Sequence, residues 1–97
     1  MTRTIENKAI FLDRDGVIIH APKIKNKPKS IKKINEIKIF YRNQLAIKKL
    51  SKFFKIIVIT NQPDVSRLKI KKTTVNKINL ILKKKLHIDK IYTCFHD

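Results

Sequence analysis

A chain of 97 residues has room for one small domain, residues 1–97, and for a modest core. Its formal charge of +17 comes from 20 lysines and 4 arginines against 7 acids, and the lysines are dispersed where a helix or loop would be wet. That pattern reads as a solvated surface rather than a nucleic-acid stripe, although the field would favour an anionic substrate. One cysteine, Cys94, excludes an internal disulfide.

Residues 1–8 are polar and lack the apolar centre of a signal peptide, so a cytoplasmic location is expected. The unpaired cysteine agrees with a reducing compartment. Residues 9–12 (Ala-Ile-Phe-Leu) form an apolar run ended by Asp13 and Gly16, which reads as a buried strand entering a turn. Val17, Ile18 and Ile19 prolong it briefly. Residues 20–35 carry Pro22, Pro28 and many lysines, and read as an exposed loop.

Ala46, Ile47, Leu50, Phe53 and Phe54 recur at helical spacing and predict an amphipathic helix over 43–54. Residues 56–59 (Ile-Ile-Val-Ile) have the β-branched continuity of a central parallel strand buried on both faces. No apolar run exceeds four residues, far too short to span a bilayer, so no membrane partner is expected. Thr73 or Thr74 is suited to cap the next helix, whose apolar stripe is Val75, Ile78, Leu82 and Leu86. Residues 89–94 read as a third strand.

Strands alternating with helices predict an α/β domain with a parallel sheet. In such sheets chemistry gathers at the carboxyl ends of strands, where Asp13, Thr60 and Cys94 all fall. Phe11, Phe53 and Phe54 are assigned to the core. That leaves few aromatics for stacking on bases, so a non-enzymatic basic nucleic-acid module is the weaker alternative.

Asp13 and Asp15 lie two residues apart at a strand-to-turn junction, a spacing that lets two carboxylates enter one crevice. One could attack phosphorus while the other moves a proton, and hard oxygens there would attract a divalent cation. Gly16, the only glycine, permits the tight turn. An ordinary Asp/Gly surface turn is the competing reading. Arg14, between the two, could shape the field or point away.

The run Phe11-Leu12-Asp13-Arg14-Asp15-Gly16-Val17-Ile18 resembles the first motif of the haloacid-dehalogenase (HAD) phosphatases, and Val58-Ile59-Thr60-Asn61-Gln62 resembles their second. Residues 60–67 (Thr-Asn-Gln-Pro-Asp-Val-Ser-Arg) narrow the likeness to the branch of D-glycero-D-manno-heptose 1,7-bisphosphate phosphatases and the histidinol-phosphatase domain. Residues 92–97 (Tyr-Thr-Cys-Phe-His-Asp) resemble the start of that branch's zinc loop. The resemblance implies a Rossmann-like (HAD-like) three-layer fold with a parallel sheet.

It also implies a Mg2+-dependent phosphatase acting on a phosphorylated sugar through an aspartyl-phosphate. Asp13 would be the nucleophile and Asp15 the general acid/base. Magnesium would sit on Asp13 and the Asp15 backbone carbonyl. Thr60, Asn61 and Arg67 would bind substrate. Cys94 and His96 would supply half of a Zn2+ site, which wants four such ligands. A monomer is expected.

The family continues with a lysine and an acidic pair beyond the position of Asp97. On this reading the fold is incomplete on its C-terminal side and activity is impaired. The family also has glycine where this chain has Phe53 and Leu68, and Pro-Gly near Tyr41-Arg42. Side chains there are strained if the positions need positive φ.

Overall fold

Residues 8–96 are described by the computed structural model. The stretch 1–7, most of the segment read above for a leader, lies outside them, as does Asp97. In chain order the elements are β1 (Ala9–Asp13), a hairpin of β2 (Lys23–Ile24) and β3 (Lys27–Pro28), α1 (Tyr41–Leu50), β4 (Lys55–Asn61), α2 (Lys72–Lys85) and β5 (Lys90–Cys94). The three apolar runs become one parallel sheet in the order β1-β4-β5, with Leu12 beside Val58 and Val58 beside Ile91.

Both crossovers step in the same direction across this sheet. Right-handed connections then place both helices on one face. Ile47 of α1 and Ile78 and Leu82 of α2 accordingly share a core with Ile56 and Val58 of β4. Each such isoleucine or leucine contributes roughly 1.5–3 kcal/mol by leaving water. The expectation that β4 is buried on both faces is corrected: its burial alternates, and Ile59 is 42% exposed. Ile59 shares the open face with Phe11 and Tyr92.

The aromatic assignments change with it. Phe11 is 61% exposed and Phe53 53% exposed, so neither belongs to the core. The core therefore does not consume these two rings.

The helices differ in their ends. α1 starts at Tyr41 and stops at Leu50, where the Phe53 and Phe54 amides turn back to the Leu50 carbonyl. α2 begins at Lys72 after an extended Lys71 with no side-chain cap, so Thr73 and Thr74 lie in its first turn and do not cap it. The Thr74 and Val75 amides instead reach the Lys71 carbonyl.

Residues 20–35 are not wholly an exposed loop. They contain the hairpin, whose turn residues Lys25 and Asn26 both have positive φ (54° and 63°) as a mirror-image turn requires. Ile31 behind it is buried in the core. Ile18 and Ile19 are buried there too, and the His20 ring stacks on Phe40 at 3.8 Å. Of the two positions compared above with family glycines, Leu68 has φ +60°, whereas Phe53 is not among the positive-φ residues. Among the described residues no helix is long and apolar enough to cross a membrane.

Candidate active site

The carboxyl ends of β1 and β4 open into a crevice of about 260 Å³ lined by Asp13, Arg14, Asp15, Lys29, Ser30, Ile59, Thr60 and Asn61. Sequence-expected residues Asp13, Asp15, Thr60 and Asn61 thus meet in one place. β1 ends at Asp13, whose side chain is exposed and, among the described residues, accepts no hydrogen bond. Gly16 at φ +87° lets the chain reverse directly after Asp15, and the Gly16 amide closes on the Ile19 carbonyl at 2.8 Å.

Asp15 is held differently. Arg14 Nε and Nη2 donate to its Oδ1 at 3.3 and 3.2 Å. Ser30 Oγ, Thr60 Oγ1 and Gln62 Nε2 donate to its Oδ2 at 3.1, 3.3 and 2.9 Å. Five donors thus converge on two oxygens that offer about four lone-pair sites. Gln62 Nε2 also donates to Thr60 Oγ1 at 2.7 Å. The Gln62 Oε1 atom is buried without a donor among the described residues. Turning the amide would aim that oxygen at the Asp15 carboxylate, so the orientation with Nε2 toward Asp15 is the favourable one.

Arg14 does not point away. It is 0% exposed, and its Nη1 donates to Asn79 Oδ1 of α2 at 2.9 Å. Asn79 Nδ2 donates in turn to Thr93 Oγ1 of β5 at 3.0 Å. A buried guanidinium is tolerated because a carboxylate neutralises it and an amide oxygen takes a further N–H. The chain of contacts therefore runs from β5 through α2 to Asp15.

Sequence reasoning gave no role to Ser30, Gln62, Asn79, Thr93 or Lys29. Asn79 had a signal: it lies four residues after Val75, on the apolar stripe, where a polar residue needs a partner. Ser30 and Lys29 had none, because the hairpin that delivers them is invisible to periodicity.

Arg67 is not among the residues lining the crevice; its Nη1 lies 3.5 Å from Asp64 Oδ1. Cys94 closes β5 and is exposed, as is His96. Among the described residues no three His, Cys, Asp or Glu side chains converge to hold a metal ion.

A parallel α/β unit with a carboxylate pair at the end of its first strand and a threonine at the end of its central one has the arrangement of a HAD-like fold. It superposes on the crystal structure of D,D-heptose 1,7-bisphosphate phosphatase from B. bronchiseptica complexed with magnesium and phosphate, with TM-score 0.71 and 25% identity over 93% of this chain. The histidine biosynthesis bifunctional protein HisB of Blochmanniella floridana is 30% identical over 97 residues. The chain thus shares the HAD-like fold and is similar to a heptose-bisphosphate phosphatase and to part of HisB. It covers 51% of the solved chain and 27% of the HisB protein. No family model matches it.

Proposed function

We propose that the crevice hydrolyses a phosphate monoester, with Asp13 as nucleophile. The observation that carries this reading is the exposed Asp13 carboxylate, free of donors among the described residues, at a strand end shared with Asp15, Thr60 and Asn61. An Asp13 oxygen would bond to phosphorus as the bond to the leaving alkoxide breaks, with Asp15 delivering a proton to that oxygen. Water would then attack the aspartyl-phosphate, giving its proton to Asp15 and releasing phosphate. Asn61 would supply a side-chain amide donor for the phosphoryl oxygens, and the Thr60 hydroxyl would join it on turning from Asp15.

Magnesium fits as far as this chain's donors go. The Asp13 carboxylate is unencumbered, and among the described residues nothing donates to the Asp15 carbonyl. Mg2+ is commonly held by one or two carboxylates with phosphate oxygens and waters completing its shell. When bound it would neutralise charge on the transferring group.

D-glycero-D-manno-heptose 1,7-bisphosphate is the substrate proposed first, because the superposed solved structure is a D,D-heptose 1,7-bisphosphate phosphatase. Histidinol phosphate is the second reading, favoured by the likeness to HisB. Arg67 is assigned to the distal part of either substrate, on its match to the family motif. Zinc at Cys94 and His96 gains no support from the geometry.

The test is phosphate release from each compound with magnesium, beside an Asp13→Asn control. Turnover that vanishes in the control supports the reading; wild-type turnover no greater than the control's rejects it.

A further inference from the structure

The charge balance of the crevice leaves one side chain without a role. Two cationic residues line it, Arg14 and Lys29. Arg14 is unavailable to a ligand: it is wholly buried, and its guanidinium N–H groups go to Asp15 and Asn79. Lys29 forms no ion pair among the described residues, although two carboxylates share its crevice.

Lys29 is also fixed in place by its neighbours. Its own amide donates to the Pro22 carbonyl at 2.7 Å. Ser30, next in the chain, is tied to Asp15 Oδ2 at 3.1 Å. Ile31 is buried in the core at 2% exposure. A lysine anchored on three successive residues loses less freedom on capturing an anion than one on an untethered loop.

We propose that Lys29 is the cation of this crevice that binds the phosphoryl group of the substrate, facing it with Asn61 and Thr60 while Asp13 attacks. The assignment deepens the phosphatase reading and rests on it. A dianionic phosphate beside Asp13 needs compensating positive charge, and an ammonium supplies it as a point charge with three donors. Lysine rather than arginine suits a loop position that must reach a small, nearly spherical group. The hairpin between β1 and α1 then has a function: it carries the cation to the nucleophile.

Inorganic phosphate with magnesium, titrated into the labelled chain and followed on the amides of Gly16, Thr60 and Asn61, tests this without turnover. Lys29→Gln should weaken binding about tenfold, and Lys29→Arg should restore most of the loss. Lys25→Gln, with the same charge change in the exposed hairpin turn, should stay within about twofold of wild type, since Lys25 does not line the crevice and an exposed charge is screened. Unchanged core amides of Ile56 and Val58 certify that each variant is folded, and Lys29→Arg carries the comparison if Lys29→Gln is not.

Phosphate binding that is equal in Lys29→Gln and wild type overturns the assignment. So does equal weakening by Lys25→Gln, which would mean that bulk charge acts, and so does a wild-type crevice that phosphate does not shift. Lys29-independent binding together with Asp13-dependent turnover would reject this assignment alone. Lys29-dependent binding without Asp13-dependent turnover would reject the phosphatase reading alone.

Discussion

Leu68→Gly should stabilise this chain, and the size of the gain follows from the backbone. Leu68 sits at φ +60° in the turn after Pro63–Val65, and its side chain is 92% exposed. A β-carbon in the left-handed region costs roughly 1–2 kcal/mol, and almost no burial offsets it here. The turn is closed by backbone bonds that glycine would keep: Leu68 N–H to the Val65 carbonyl at 3.1 Å and Lys69 N–H to the Asp64 carbonyl at 2.8 Å. Glycine gives back roughly 0.5–1 kcal/mol through its freer unfolded chain. The difference is a net gain of about 0.5–1 kcal/mol.

For a domain of this size, that gain raises Tm by about 2–8 °C. It raises the urea midpoint by roughly half a molar at m near 1–2 kcal/mol/M. Leu68→Ala keeps the β-carbon and should leave the midpoint nearly unchanged, with Leu68→Asn between the two. Equal midpoints for the glycine and alanine variants, or a glycine variant less stable than wild type, would refute the claim that this turn is strained.

Four further outcomes are expected. Asn79→Ala leaves a buried Arg14 N–H without its acceptor and should cost about 2 kcal/mol in urea unfolding. A double-mutant cycle of Arg14→Met and Asp15→Asn should show coupling of about 1 kcal/mol or more, because the pair is largely buried; additive effects would contradict the contact. Ile56→Ala should cost about 3 kcal/mol and Ile59→Ala less than about 1, a contrast in midpoints that reads out which face of β4 is covered. Asp13→Asn should shift stability by less than about 0.5 kcal/mol while removing phosphate release, since its carboxylate holds nothing in the described fold.

The three strands of the parallel sheet and both helices were legible because each carries its own pattern of apolar residues. The parallel order followed from their alternation; the ends at Asp13 and Thr60 were marked by where the apolar runs stop, Asp15 by its spacing from Asp13, and Asn61 only by the family resemblance. What stayed hidden depended on tertiary placement. Nothing local says that residues 56–59 bury one face and not both; that follows from two crossovers stepping the same way. Phe11 and Phe53 look like core residues by type, yet they occupy positions the helices do not cover. Lys71 begins α2 without a side-chain cap, so the nearby threonines misplace its start. The left-handed backbone at Leu68 was visible only as a question, whether the glycine seen in the family reflects a need for positive φ; at Phe53 the same question has the opposite answer.

The two carboxylates, equivalent in the sequence, are separated by what surrounds them. Asp13 belongs to the sheet face that carries Phe11 and Ile59, and among the described residues it meets no donor. Asp15, two residues on, is gripped by five donors: from Thr60 of β4, from Gln62 just beyond it, from Ser30 after the hairpin and two from its own neighbour Arg14. A nucleophile must be free to approach phosphorus, and Asp13 is free; a proton carrier needs an open lone pair, so a proton role for Asp15 requires one of its five donors to move aside. The cost of aiming Asp15 is a buried arginine, and that arginine is tolerable only because Asn79, anchored on Thr93, accepts one of its protons. Helix α2, far from Asp15 in the sequence, is thereby part of what holds it in place.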